Sequence, residues 1–285
     1  MKKAIFSTEI SLLRSTMQRL LRRSAHANIS KILRKTHQAD VALIMRNLNQ
    51  YEQKIIFSLF TLFIISSQSI VAAGYIAIYS LNVSDPASYS KSLDDLMNSD
   101  WGKSFPATVS LHQYVFNGYD DATHAVVLDY DDAESLGVAT ELFNDPQFIM
   151  HLSETSSMLT NVEESLHMKL ISGGSTEPEN NGFNTVYRMK VNDPSSYAMA
   201  YTELIAELEE DGNIIGTYGL RQNIGGDINY YSHYAYTSAG SMSQAMESAE
   251  TLYASEDFAE FSEKVSGNRE LISISVLSNI ISYNN

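Results

Sequence analysis

The chain has 285 residues, 44% of them hydrophobic and 19% charged, a balance that excludes a disordered or low-complexity protein. Cys is absent, which removes disulfides, thiolate nucleophiles, Cys-ligated zinc and iron–sulfur clusters. The net charge of −15 is unevenly spread: residues 1–73 carry 11 Lys+Arg against 3 Asp+Glu, and residues 74–285 carry 8 against 31. So acidic a body repels phosphate backbones, and no nucleic-acid partner is expected for it.

From the amino terminus, Lys54 precedes the apolar run Ile55–Ile65, polar Ser66–Ser69 follows, and Val71-Ala-Ala73 supplies small residues. Basic flank, apolar core and small-residue exit make a secretory signal peptide with cleavage after Ala73. A start at Met45 gives that signal, 45–73, an ordinary length, and leaves residues 1–44 as an untranslated or disordered basic extension. The expectation is an exported protein, periplasmic or extracellular. The alternative is a retained membrane anchor over Ile55–Ala73, the only part expected to meet a membrane.

The body is an internal repeat. Tyr79-Ser-Leu-Asn-Val-Ser-Asp-Pro-Ala-Ser-Tyr89 matches Tyr187-Arg-Met-Lys-Val-Asn-Asp-Pro-Ser-Ser-Tyr197, and the same register later aligns His124 with His233 and Phe148 with Phe258. The expected organisation is one repeat over 74–172, a turn-rich linker over 173–182 and a second repeat over 183–285. In the first copy, Tyr75–Val83 alternates as a strand, and Asp85-Pro86 supplies an N-cap and a first-turn proline for a helix. Strands follow at Thr108–Phe116 and Ala122–Tyr130, then helix over Asp132–Asn161 broken at Asp145-Pro146, then a strand at Val162–Ile171. The second copy repeats this with Phe183–Val191, Pro194–Glu210, Ile214–Gln222, Ile228–Tyr236, Ser241–Val265 and Leu271–Ile280. Each copy is βαββαβ, a ferredoxin-like unit, so the fold class is α+β, with two tandem units forming a pseudo-twofold barrel. A homodimer joined through remaining sheet edges is the expected assembly.

Leu142-Phe-Asn-Asp-Pro-Gln-Phe148-Ile-Met-His151 and Leu252-Tyr-Ala-Ser-Glu-Asp-Phe258-Ala-Glu-Phe261 resemble the broken second helix of dimeric α+β-barrel proteins. That superfamily includes antibiotic-biosynthesis-type monooxygenases and stress-responsive barrel proteins. The resemblance implies a barrel whose cavity holds a small aromatic substrate, haem, or nothing. It fixes no catalytic residue and no cofactor.

His124 and His233 are the only repeat-equivalent imidazoles of the body, and Gln113 and Gln222 are equivalent on the preceding strands. An even hairpin loop sets Gln113 opposite His124 and Gln222 opposite His233, on one face. Two readings stay open: both pairs line the barrel as ligand contacts, or each is a cross-strand amide–imidazole hydrogen bond. Arg221, aligned with His112, is a further candidate to hold an anionic ligand group or to pair with an acid. Trp101 is expected in a loop covering the end of the core. The acidic clusters lack calcium-loop spacing, and no metal site is expected.

Three functions follow: a barrel binding a small, partly apolar ligand; a cofactor-independent or haem-linked monooxygenase-like enzyme; or a filled barrel serving interaction. Cavity volume decides between the last and the others.

Overall fold

The computed structural model describes residues 74–284, so the extension, signal segment and cleavage site expected over 1–73 lie outside the described residues. The first half runs β1 (Tyr75–Val83), α1 (Pro86–Met97), α2 (Asp100–Ser104), β2 (Thr108–Phe116), β3 (His124–Tyr130), α3 (Ala133–Leu142), α4 (Pro146–Thr155) and β4 (Leu159–Gly174). A 3-10 turn, Pro178–Asn180, leads to β5 (Phe183–Val191), α5 (Pro194–Glu210), β6 (Thr217–Gly225), β7 (His233–Ala239), α6 (Met242–Ala254), α7 (Glu256–Val265) and β8 (Arg269–Tyr283). None of these helices is long and apolar enough to cross a membrane.

The repeated Asp-Pro-x-Ser segments explain where α1 and α5 begin. Asp85 Oδ1 accepts from the Ser88 backbone N–H at 3.1 Å and Asp193 Oδ1 from that of Ser196 at 3.2 Å. In both, proline fills the first turn, where its missing N–H leaves no intrahelical bond unmade. Asp145 and Pro146 restart the broken helix as α4 by the same device.

The eight strands close in the order β1-β3-β2-β8-β5-β7-β6-β4, all pairs antiparallel. Each repeat supplies four neighbours in ferredoxin-like order, and the long strands β8 and β4 join the halves through β2–β8 and β6–β4. Even the irregularities are duplicated. The register slips after Ser80 in β1 and after Arg188 in β5, and again after Leu111 in β2 and Leu220 in β6. Closure uses every edge, so the edge-to-edge homodimer expected from sequence has no free strand to pair with among the described residues.

Side chains alternate between the barrel interior and the helix layer. Val126, Leu128 and Tyr130 of β3 join the cluster of α1 residues Tyr89, Leu93 and Leu96; Leu220 and Ala235 join that of α5 residues Tyr197, Leu204 and Leu208. These two cores lie outside the barrel, one per repeat. Trp101 belongs to the first: it sits on α2, not in a loop, stacked between Phe105 at 4.7 Å and Phe148 at 5.1 Å, and its Nε1–H donates to Leu142 O. A second correction concerns β7, which starts at His233 and not at Ile228. Asp227 holds the preceding turn, accepting from the Asn229 backbone N–H at 2.9 Å.

Candidate functional site

The interior side of the same alternation leaves a cavity of about 660 Å³. Its walls include Ile76 and Ile78 of β1, Ser110, His112 and Tyr114 of β2, Ala125, Val127 and Asp129 of β3, and Tyr234 and Tyr236 of β7. Thr176, Pro178 and Asn181 of the inter-repeat connection stand at the barrel end where β2 and β5 begin. Asn181 pins that connection, donating to Ser175 O and Glu177 O and accepting from the Thr217 backbone N–H.

Divergence between the copies widens one side of this space. Alignment of His124 with His233 makes Ala125 equivalent to Tyr234 and Val127 to Tyr236. Two large rings therefore occupy one side of the pseudo-twofold while two small side chains stand on the other. A filled barrel is not what the chain builds.

The floor is polar. Arg188 is buried, with carboxylates at 3.6 Å (Asp120) and 3.4 Å (Glu163), the Tyr114 hydroxyl at 3.4 Å and the Tyr231 ring beneath its guanidinium at 5.2 Å. Tyr231 shares a hydrogen bond with His167 Nε2 at 3.0 Å and donates to Ser165 Oγ at 3.3 Å. Burial above all, opposed by the Ile76 backbone and reinforced by the charges of Arg188 and Arg221, holds the His167 imidazole down to about 3. His112, 9% exposed, is pushed down to about 4 by burial. Its Nε2 and Ser110 Oγ are 2.8 Å apart, and its Nδ1 has no hydrogen-bond partner. A neutral imidazole so placed offers one hydrogen bond to whatever enters.

The sequence-derived candidates fare unequally. The pairings Gln113–His124 and Gln222–His233 form as expected. The face is the other one: His124 alternates with Val126 and Leu128, and His233 with Ala235, all packed towards the helix layer. Neither imidazole and neither glutamine lines the cavity. His124 and His233 bond instead to their own neighbours, Thr123 at 2.8 Å and Ser232 at 2.9 Å, and Gln113 is exposed. Arg221 does face inward, 2% exposed, folded over Gly219, where any Cβ would stand 2.4 Å from its Nη1. His112, Tyr114, Arg188 and Tyr231 were missed as site residues. The signal for the first two was present, since residues flanking Gln113 must face opposite to it. Among the described residues no group of three His, Asp or Glu is arranged to hold a metal ion.

No protein-family model matches the chain and no curated protein matches it in sequence. Solved structures do resemble it. An anthrone oxidase-like protein superposes with a TM-score of 0.51 at 9% identity, covering 75% of this chain and 93% of its own. A proposed monooxygenase from Lactobacillus acidophilus gives 0.53 at 8% identity, covering 74% and 96%. One from Fusobacterium nucleatum gives 0.53 at 13%, covering 75% and 95%. Identities this low speak for the fold alone: a closed eight-stranded α+β barrel, built here from two ferredoxin-like repeats in one chain.

Proposed function

We propose that this protein binds a small, partly apolar molecule inside its barrel. One observation carries the reading: a cavity of about 660 Å³, with the small Ala125 and Val127 on its wall where the second copy has Tyr234 and Tyr236, meets buried polar atoms. Small-molecule sites typically enclose roughly 300–1,000 Å³ and combine apolar walls with a few fixed polar groups. His112 Nδ1, buried and unpaired, supports the reading, because such an atom costs about 1–3 kcal/mol unless something satisfies it.

Haem, one cavity occupant that the resemblance implies, fits the donor set poorly. Iron takes an imidazole nitrogen as axial ligand. The Nε2 atoms of the inward-facing His112 and His167 are engaged by Ser110 and Tyr231, which leaves without a partner only their Nδ1 atoms, crowded by the adjoining Cβ, and His233, whose Nε2 is unpaired, lies on the outer face. The oxidative reading rests on the fold likeness without a residue of this chain to support it.

The test is native mass spectrometry with an absorption spectrum of protein purified from its source, repeated on Ala125→Tyr/Val127→Tyr. Small-molecule mass on the wild type and none on the variant is expected. Equal retention by both, or none by the wild type, overturns the reading. The order of charge and hydropathy over residues 54–73 supports export as part of the same proposal. Amino-terminal sequencing that begins at Gly74 is the expected result, and intact residues 1–44 on the abundant form would remove it.

A further inference from the structure

The charges inside the barrel do not balance locally. Arg188 has two carboxylates within 4 Å. Arg221 has none among the described residues. Its Nη1 donates to the Ile171 and Leu220 carbonyls, its Nη2 to the Tyr236 hydroxyl at 3.3 Å, and its Nε is buried without a partner. Lys169, directly across the β4–β6 ladder, adds a second cation, whose partner is Asp129. This wall therefore carries two cations to one carboxylate. A buried guanidinium left without a counter-charge is costly, and neutral oxygens offset that cost only in part.

Tyr236 stands between this surplus and the cavity. It lines the cavity, its ring lies 5.2 Å from the Arg221 guanidinium, and its oxygen accepts from Arg221. The phenolic proton is thus left to donate elsewhere, with a positive charge behind it. Such a donor favours a negative oxygen over a neutral one, because charge-assisted hydrogen bonds are roughly twice as strong as neutral ones. His112 holds the position equivalent to Arg221 on the opposite strand, with its free Nδ1 available to a second polar atom.

We propose that the cavity selects organic acids, bound as their anions with the charged oxygen at the Tyr236 hydroxyl in front of Arg221 and the apolar part against Ala125 and Val127. The proposal rests on the cavity reading above and adds the charge of the ligand.

The test compares two fluorescent probes of nearly equal shape, 2-naphthoate and 2-naphthamide, titrated into the wild type at neutral pH and low salt. The carboxylate should bind about tenfold more tightly than the amide or better. Tyr236→Phe, which keeps the ring over the guanidinium, should remove most of that preference while changing amide binding little. Arg221→Met, checked for a cooperative thermal melt, should abolish it; if that variant does not fold, the Tyr236→Phe comparison decides. Equal affinity for the two probes, both lost in Ala125→Tyr/Val127→Tyr, overturns the charge selection and leaves the cavity reading standing. Binding of neither probe to the wild type overturns the proposal together with the reading beneath it.

Discussion

Arg188 on β5 and Glu163 on β4 meet at 3.4 Å across the barrel, although the positions equivalent to them in the other copies hold Ser80 and Ser273. Ser80 faces Glu163 across the β1–β4 ladder as Arg188 faces Ser273 across β5–β8, each just before the duplicated slip in register. The pseudo-twofold thus brings four like positions around the floor, and two of them carry opposite charge. Asp120, from the β2–β3 loop, adds a second acid to the same guanidinium.

Removing this guanidinium leaves two largely buried carboxylates without their shared counter-charge. Arg188→Met should therefore destabilise the protein by about 3–5 kcal/mol, the range for breaking a buried ion pair from one side. Arg188→Met/Glu163→Gln should recover part of the loss, since one orphaned charge is gone. Urea unfolding of the two variants checks this, and a single variant as stable as the wild type would show that the pair does not hold the floor.

Acid should weaken the fold before its carboxylates titrate. All five histidines among the described residues are shifted down by burial, His112 and His233 to about 4 and His167 to about 3, with His124 and His151 lowered as well. An unfolded chain takes up these protons near pH 6.5. Between the two values the unfolded state binds more protons than the folded one, so stability rises with pH across the window and levels off above it. His112, His167 and His233 each contribute up to about 1.4 kcal/mol per pH unit there. Urea midpoints measured from about pH 7 down to about pH 4 should fall steeply, and His233→Gln should flatten the slope by close to one proton. Midpoints that stay level over this range would mean that the imidazoles titrate freely.

The capping aspartates make a separate prediction. Hydrogen bonds from the side chain and then the backbone of Ser88 hold the Asp85 carboxyl below its ordinary value, and Ser196 does the same for Asp193. Asp85→Ala should lower the urea midpoint without altering the slope, whereas Asp85→Asn, itself a good cap, should retain most of it. Equal loss in both variants would point to charge, not capping geometry.

The outer placement of His124 and His233 reverses what their duplication suggests. Replacing both by Gln should leave retention of the cavity ligand unchanged, while His112→Phe, which removes the unpaired Nδ1 from the wall, should weaken it severalfold. Native mass spectrometry of both variants distinguishes them, and loss of ligand from the double His variant would return the site to the outer face.

Local chemistry made much of this fold legible in one dimension. The strands Tyr75–Val83, Thr108–Phe116 and Phe183–Val191 and the helix Pro194–Glu210 stand where alternation and capping place them, because those signals act over a few residues. Even the Gln113–His124 register was readable, since hairpin pairing is a matter of counting. Which face of that pair looks inward was not, because a period of two is the same from either side. The site needed more still. Arg188 and Glu163 are distant in sequence and on strands that do not pair, and only closure of β2 on β8 and β6 on β4 brings them together. The duplication told where the copies agree; the cavity lies where they differ, at Ala125 against Tyr234 and Val127 against Tyr236, and the size of a side chain becomes a volume only once the opposite wall is in place.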